Sequence, residues 1–163
     1  MMKKILIVSD THGDNANFSL VLKKVGKIDA LIHCGDFEGT EYYYENVVDC
    51  PKLMVRGNND FFTGLPTSDI ITVNGLKILA VHGHRQRVYA GPDDALVLAK
   101  QNNADVVCYG HIHSPKMYYD EETKIWAVCP GSLCFPRQAD RKYTYIILEV
   151  EENGTPHFEL NTL

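Results

Sequence analysis

Short apolar runs rich in β-branched residues recur along the chain at Lys4–Ser9, Ala30–His33, Lys52–Arg56, Lys77–Val81 and Val106–Tyr109. Runs of this length and composition predict strands. All but Lys77–Val81 are almost continuously apolar, as strands covered on both faces are. Between them the period changes to that of a helix. Phe18, Val21, Leu22 and Val25 form one stripe of Asn17–Val25, and Ala95, Leu96, Leu98 and Ala99 form another in Pro92–Asn103. Thr40–Val48 reads as a further helix. Asp14 is a candidate cap for the first helix, and Asp93 or Asp94 for the last. Beyond these, Met117–Asp120, Lys124–Val128, Tyr143–Val150 and Pro156–Leu160 predict antiparallel strands, with turns at Asp120–Thr123 and Glu152–Thr155. A βαβαβ order followed by mostly strand predicts an α/β fold with a mixed sheet or two stacked sheets. No repeat or linker divides the chain, so residues 1–163 are expected to form a single domain.

Composition narrows the function. With 163 residues, 45% apolar and 23% charged, the chain has the make-up of a soluble globular domain. Sixteen basic against twenty-one acidic residues give a formal charge of −5. That balance argues against strong nucleic-acid binding, which needs cationic side chains on phosphates. Any phosphate chemistry here needs positive charge from another source. The five cysteines are odd in number and irregularly spaced, which suits free thiols in a reducing compartment. The apolar run after Lys4 ends at Ser9-Asp10, too short for a signal peptide or a membrane span. A cytoplasmic protein without membrane attachment is expected.

Polar residues then fall in a consistent place. Lys4–Ser9 runs into Asp10-Thr11-His12-Gly13-Asp14, and Ala30–His33 into Cys34-Gly35-Asp36. Lys52–Arg56 is followed by Gly57-Asn58-Asn59-Asp60, Lys77–Val81 by His82-Gly83-His84, and Val106–Tyr109 by Gly110-His111-Ile112-His113. In open α/β sheets the carboxyl edge of the strands is where ligands bind. Asp10/His12 and His111/His113 are i, i+2 pairs, which on extended chain point to one side, so each pair is expected to grip one centre. Imidazole, carboxylate and amide oxygens without thiolate suit a first-row cation such as Mn²⁺, Fe²⁺ or Zn²⁺. Seven such residues exceed the needs of one ion and suit two, about 3.5–4 Å apart, which would activate water and clamp a phosphoryl group. They would also supply the missing positive charge.

The ordered blocks D-x-H (Asp10, His12), G-D (Asp36), G-N-x-D (Gly57, Asn58, Asp60), H-G-H (His82, His84) and G-H-x-H (Gly110, His111, His113) resemble the calcineurin-like metallophosphoesterase superfamily. Pro130-Gly131-Ser132-Leu133 with Pro136-Arg137 is similar to its small single-domain bacterial and archaeal phosphodiesterase branch. The resemblance implies a four-layer α/β/β/α sandwich with two mixed sheets and a metal site at the carboxyl ends of the strands. It implies Asp10, His12 and His113 on one ion, Asn58, His82 and His111 on the other, and Asp36 bridging. It further implies two divalent ions (manganese first, with iron, nickel or zinc as alternatives) and attack on phosphorus by a hydroxide bridging them. The expected substrate is a small phosphodiester or nucleotide-like molecule. Small relatives often pair, so a homodimer is within the expectation. Two rivals accompany this reading: a non-catalytic scaffold of the same fold, like the retromer subunit, and a nucleotide or phosphomonoester phosphatase.

One departure stands out. Many relatives carry His, and the small branch often Cys, where this chain has Asn59. An amide can hydrogen-bond a phosphoryl oxygen but cannot act as a general acid. Phosphodiesters with stable leaving groups are therefore expected over alkyl monoesters, with Asn59, His84 and Arg137 contacting the phosphate and His84 a candidate proton donor. Asp60 is expected to orient a ligand histidine. Arg56, Arg85 and Arg87 lie near the motifs, with salt bridging as an ordinary alternative for Arg85 and Arg87. His33 and His157 are expected to be structural, and Trp126 to serve packing. The Tyr42-Tyr43-Tyr44 run could shape a substrate rim or a subunit contact. The Cys50…Arg56 spacing of cysteine phosphatases is a coincidence, because Pro51 and an apolar strand replace the phosphate loop. Ser132 lacks the elbow of a serine nucleophile.

Overall fold

The computed structural model describes all 163 residues. The first apolar runs become β1 (Lys3–Val8), β2 (Ala30–His33) and β3 (Lys52–Met54), joined by α1 (Ala16–Val25) and α2 (Glu41–Val47). There follow β4 (Ser68–Val73), β5 (Leu76–Val81), a single 3-10 turn at Val88–Ala90, α3 (Asp93–Gln101) and β6 (Val106–Cys108). The chain finishes with β7 (Lys116–Asp120), β8 (Ile125–Cys129), β9 (Thr144–Val150) and β10 (Pro156–Thr162).

Two mixed five-stranded sheets result, in the orders β10-β9-β1-β2-β3 and β4-β5-β6-β8-β7. Ile5, Ile7, Ile32, Ile146 and Leu148 of the first meet Leu76, Ile78, Ala80, Val106 and Val128 of the second in one buried core. The first sheet's other face carries α1 and α2 through Leu6, Val8, Phe18, Val21 and Tyr44. The second sheet's other face carries α3 through Leu79, Val107, Ala95, Leu96 and Ala99. This is the expected four-layer sandwich, and burial on both faces explains the unbroken apolar runs. No helix is long and apolar enough to cross a membrane.

The parallel pairings β1–β2, β2–β3 and β5–β6 point those strands the same way within their sheets. Their following loops are stitched together by backbone bonds. Asp10 N–H donates to Gly35 O at 3.0 Å, His12 N–H to Asp36 O at 2.9 Å, and Gly110 N–H to His82 O at 2.9 Å.

Strand β4 is absent from the expectation. It is an edge strand with mostly partial exposure, so its apolar pattern is weak. The signal lay in Asn74-Gly75, whose φ values of 49° and 83° are those of the two-residue hairpin that joins it to β5. The caps differ from expectation too. Asp14 accepts the Ala16 N–H at 3.1 Å from one residue before the helix-flanking Asn15. Asp93 and Asp94 cap nothing, because α3 begins after Pro92; Asp94 turns instead to Arg87, at 2.8 Å.

Candidate metal centre

The strand-end loops bring Asp10, His12, Asp36 and His113 together, with one ligand atom from each lying within 4.8 Å of the others. His113 Nε2 is 3.1 Å from Asp10 Oδ1 and 3.1 Å from His12 Nε2. His12 Nε2 is also 3.7 Å from Asp36 Oδ2. On the far side of Asp36, His82 Nε2 approaches Oδ2 at 3.4 Å. His111 Nδ1 faces Asn58 Oδ1 at 3.1 Å, and its ring centre lies 5.1 Å from that of His82. Asp10, His12, Asp36 and His113 thus form one cluster, with His82 against Asp36 and His111 and Asn58 beside His82.

The i, i+2 pairs do not behave as expected on extended chain. Asp10 (φ 54°), His12 (46°), Asp36 (63°), His111 (72°) and His113 (55°) all occupy the left-handed region. Such angles are costly for residues with a Cβ and cluster at functional sites. The left-handed steps let Asp10 and His12 share one centre. Of the second pair, the His113 ring lies against Asp10, while His111 donates its backbone N–H to Asp10 and turns its ring to Asn58.

Fixed hydrogen bonds aim each ring. His82 Nδ1–H donates to Cys34 O at 2.7 Å, His113 Nδ1–H to Phe135 O at 2.7 Å, and His12 Nδ1–H to a Glu38 carboxylate oxygen at 2.9 Å. These bonds turn each Nε2 inward, toward the carboxylates of Asp10 and Asp36. Asp10 Oδ2 accepts from Ser9 Oγ at 2.6 Å and from the His111 N–H at 3.0 Å, while the buried Oδ1 has His113 Nε2 beside it at 3.1 Å. His82 Nε2 is buried without a hydrogen-bond partner. Burial alone would raise the Asp10 and Asp36 carboxyls. Bonds and charges from His113, His82 and Ser9 on Asp10, and from His82 and Asn59 on Asp36, outweigh it and hold both below the usual carboxylate range. Burial lowers His82, yet the two carboxylates more than offset this and raise it to about 9. His84 and His111 are lowered, first by burial and then by the charge of His82. Ionised carboxylates with imidazole nitrogens turned toward them are the donor types that a divalent cation would take.

Two of the glycines with no room for a Cβ lie against the carboxylates. A Cβ on Gly57 would overlap the Asp36 carboxylate, and one on Gly110 would overlap Ser9 Oγ and Asp10 Oδ2.

Asp60 touches no histidine, contrary to expectation. Its buried carboxylate accepts four backbone N–H groups: Asp36 and Gly57 at 2.8 and 2.7 Å on Oδ2, and Phe37 and Glu38 at 2.7 and 2.8 Å on Oδ1. It folds the Asp36 loop rather than aiming a ring. Asn59 also serves Asp36, with its backbone N–H on Oδ1 at 2.9 Å and its side-chain amide on Oδ2 at 2.9 Å. His84 is partly buried, its ring centre 5.4 Å from that of His82 and its Nδ1 without a partner. Arg137 is exposed; its N–H donates to His113 O at 2.8 Å, and its side chain lines a groove beside His111. Arg56 donates to Asp60 O at 3.2 Å, so it braces the loop.

Sequence reasoning missed Glu38, although its place two residues after Asp36 was a readable hint. Ser132 was weighed only as a nucleophile. Its buried hydroxyl donates to Asp10 O at 2.7 Å and accepts the Cys134 and Phe135 N–H groups at 3.0 and 2.8 Å. It thereby shapes the turn whose Phe135 carbonyl holds His113. His33 is structural: its ring bridges Thr11 Oγ1 and the Gly35 N–H and stacks on Phe37.

Layered sheets with an Asp/His cluster at their carboxyl edge define a class of phosphoester hydrolases. The chain belongs to the calcineurin-like phosphoesterase superfamily, whose domain profile matches residues 2–153. It is 30% identical over 151 residues to a probable metallophosphoesterase of Bacillus subtilis, covering 92% of this chain and 86% of that one. Among solved structures it is similar to a Streptococcus pneumoniae protein described as a predicted phosphoesterase, with a TM-score of 0.80, 26% identity, and coverage of 100% and 99% of the two chains. It also shares its fold with an archaeal phosphodiesterase, with a TM-score of 0.76, 23% identity and coverage of 98% and 99%. The Vps29 of Entamoeba histolytica has the same fold, with a TM-score of 0.77, 19% identity and coverage of 98% and 99%.

Proposed function

We propose that the protein is a divalent-metal-dependent hydrolase of phosphodiesters. Asp10, His12 and His113 would hold one ion, Asn58, His82 and His111 a second, and Asp36 both, with manganese the first candidate. Bound there, such ions would lower the pKa of water and offset charge on the phosphoryl oxygens. The observation that carries this reading is the convergence of His12 Nε2, His113 Nε2 and Asp10 Oδ1, with His113 Nε2 3.1 Å from each of the other two, close to Asp36. Imidazole nitrogens and carboxylate oxygens gathered so closely are the donor set of a divalent cation.

The remaining side chains position the reaction. Asn59 and Asp60 fix the Asp36 loop, and Ser9 fixes Asp10. His84 offers a hydrogen bond to a phosphoryl oxygen and Arg137 a guanidinium. Asn59, an amide, cannot protonate a leaving group. This supports diesters with stable leaving groups, a reading in line with the archaeal phosphodiesterase of the same fold. The complete donor set favours an enzyme over a scaffold of the Vps29 kind. The five cysteines are unpaired, which supports a reducing, cytoplasmic setting.

The test is dialysis against chelator followed by readdition of Mn²⁺, with bis(p-nitrophenyl) phosphate as substrate. Turnover is expected to vanish and return. Full turnover by the chelated protein would overturn the proposal.

A further inference from the structure

A groove of about 400 Å³ is lined by Glu38, Gly39, Asn59, Phe61 and Phe62. Two of these residues belong to the candidate metal centre. Glu38 holds the His12 ring, and Asn59 bonds both oxygens of the Asp36 carboxylate. A molecule whose phosphate sits at Asp36 therefore has this groove beside it.

The rest of the lining is phenyl. Phe61 is 69% exposed and Phe62 completely so, and both rings contribute little to the core. Single exposed apolar side chains are ordinary, but two neighbouring phenyl rings on one groove at a polar centre mark a place for an apolar group. Phe62 also has a φ of 60°, a costly angle for a bulky side chain and one that clusters at ligand clamps. The segment is held from both ends. The Arg56 side chain donates to Asp60 O at 3.2 Å and the Arg56 N–H to Pro66 O at 2.8 Å, while Leu65 packs on the core beneath α1 and α2. The two rings are thus presented by a braced turn rather than by a loose tip.

Charge narrows the occupant. No Lys or Arg lines the groove, and the Glu38 carboxylate does, in a chain of net charge −5. A second phosphate or a carboxylate would be repelled there, whereas an uncharged ring would rest on the phenyl faces. Asn59 narrows it further. A group leaving beside this amide receives no proton from it, so its oxygen must be stable as an anion. An aryl oxygen meets that condition and an alkyl oxygen does not.

Resting on the phosphodiesterase reading, we infer that this groove receives the leaving group of the diester, and that the group is an uncharged aryl alcohol lodged on Phe61 and Phe62. In the reaction the oxygen of water bonds to phosphorus. The bond from phosphorus to the aryl oxygen breaks with its electron pair on that oxygen, and water's protons pass to the phosphate monoester and the solvent.

The experiment uses Mn²⁺-loaded protein and two probes, methyl phenylphosphonate and methyl methylphosphonate. Both are monoanions that mimic a diester, and they differ only by phenyl or methyl on phosphorus. In calorimetry the phenyl compound should bind about tenfold tighter, part of what burying an aromatic ring can supply. Phe61→Ala and Phe62→Ala should each lower that ratio about threefold, the scale of one aromatic contact, and the double variant should bring it near one. The kcat/KM for methyl p-nitrophenyl phosphate should fall by similar factors. Both rings are exposed, so folding is not at issue. A ratio near one in the parent protein, or a ratio unmoved by both substitutions, would overturn the groove. A ratio of about ten that falls in the variants, with no turnover of the p-nitrophenyl diester, would uphold the aryl site and overturn the hydrolase reading instead.

Discussion

His12 and His113 face each other nitrogen to nitrogen at 3.1 Å, each with its other ring nitrogen already committed to an oxygen. If the proposed metal centre forms here, a cation should stabilise the folded chain. A cation at 100 times its Kd adds about 2.7 kcal/mol of stability per site. For a chain of this length, Tm should rise roughly 5–10 °C on Mn²⁺ addition. Asp10→Asn should remove most of that rise in calorimetry. Equal Tm with chelator and with excess metal would count against the centre.

Gly110 separates the site's requirements from general tolerance. Adding a methyl there intrudes on Ser9 Oγ and Asp10 Oδ2, so Gly110→Ala should cost about 1–3 kcal/mol in urea unfolding and abolish metal-dependent stabilisation. Gly64, which has nothing within 4 Å, is the control; Gly64→Ala should stay within about 0.5 kcal/mol of the parent.

Acid stability should carry the mark of His33. Burial pushes this ring from 6.5 down to about 3. The folded pKa lies below the unfolded one, so the neutral ring's contribution is complete above pH 6.5 and is lost as pH falls toward 3. Each pH unit in that window removes up to about 1.4 kcal/mol. In His33→Gln the acid limb of stability against pH should be shallower by one proton, as measured by urea unfolding at a series of pH values. An unchanged slope would mean that the ring is not buried neutral.

Asn59 sets leaving-group preference. Asn59→His introduces a titratable group next to Asp36 and should raise turnover of alkyl phosphomonoesters relative to bis(p-nitrophenyl) phosphate by about a hundredfold, the low end of what general acids contribute. A ratio unmoved by the change would show that the proton comes from elsewhere.

The layered fold was legible because strands buried on both faces leave unbroken apolar runs, as in Lys4–Ser9 and Ala30–His33. Ser68–Val73 was hidden because an edge strand need not be apolar, although Asn74-Gly75 announced its hairpin. The site's membership could be read from strand ends that repeatedly deliver Asp, Asn and His beside glycine. Its geometry could not. Periodicity describes extended or helical chain, whereas Asp10, His12, Asp36, His111 and His113 sit at left-handed angles that no side-chain pattern encodes. The supporting atoms were also invisible: the carbonyls of Cys34 and Phe135 carry no sequence signal, and Asp60 acts on four backbone N–H groups that only the folded loop brings together.

Those left-handed angles shape how such a site can decay. Glycine and asparagine tolerate them best, so a descendant freed from chemistry would gain stability by placing either at positions 12, 36 or 113, while alanine there would keep the strain and lose the ligand. The Asp and His side chains at these points are held against a standing conformational pull, and an inert copy should drift toward small, flexible residues there.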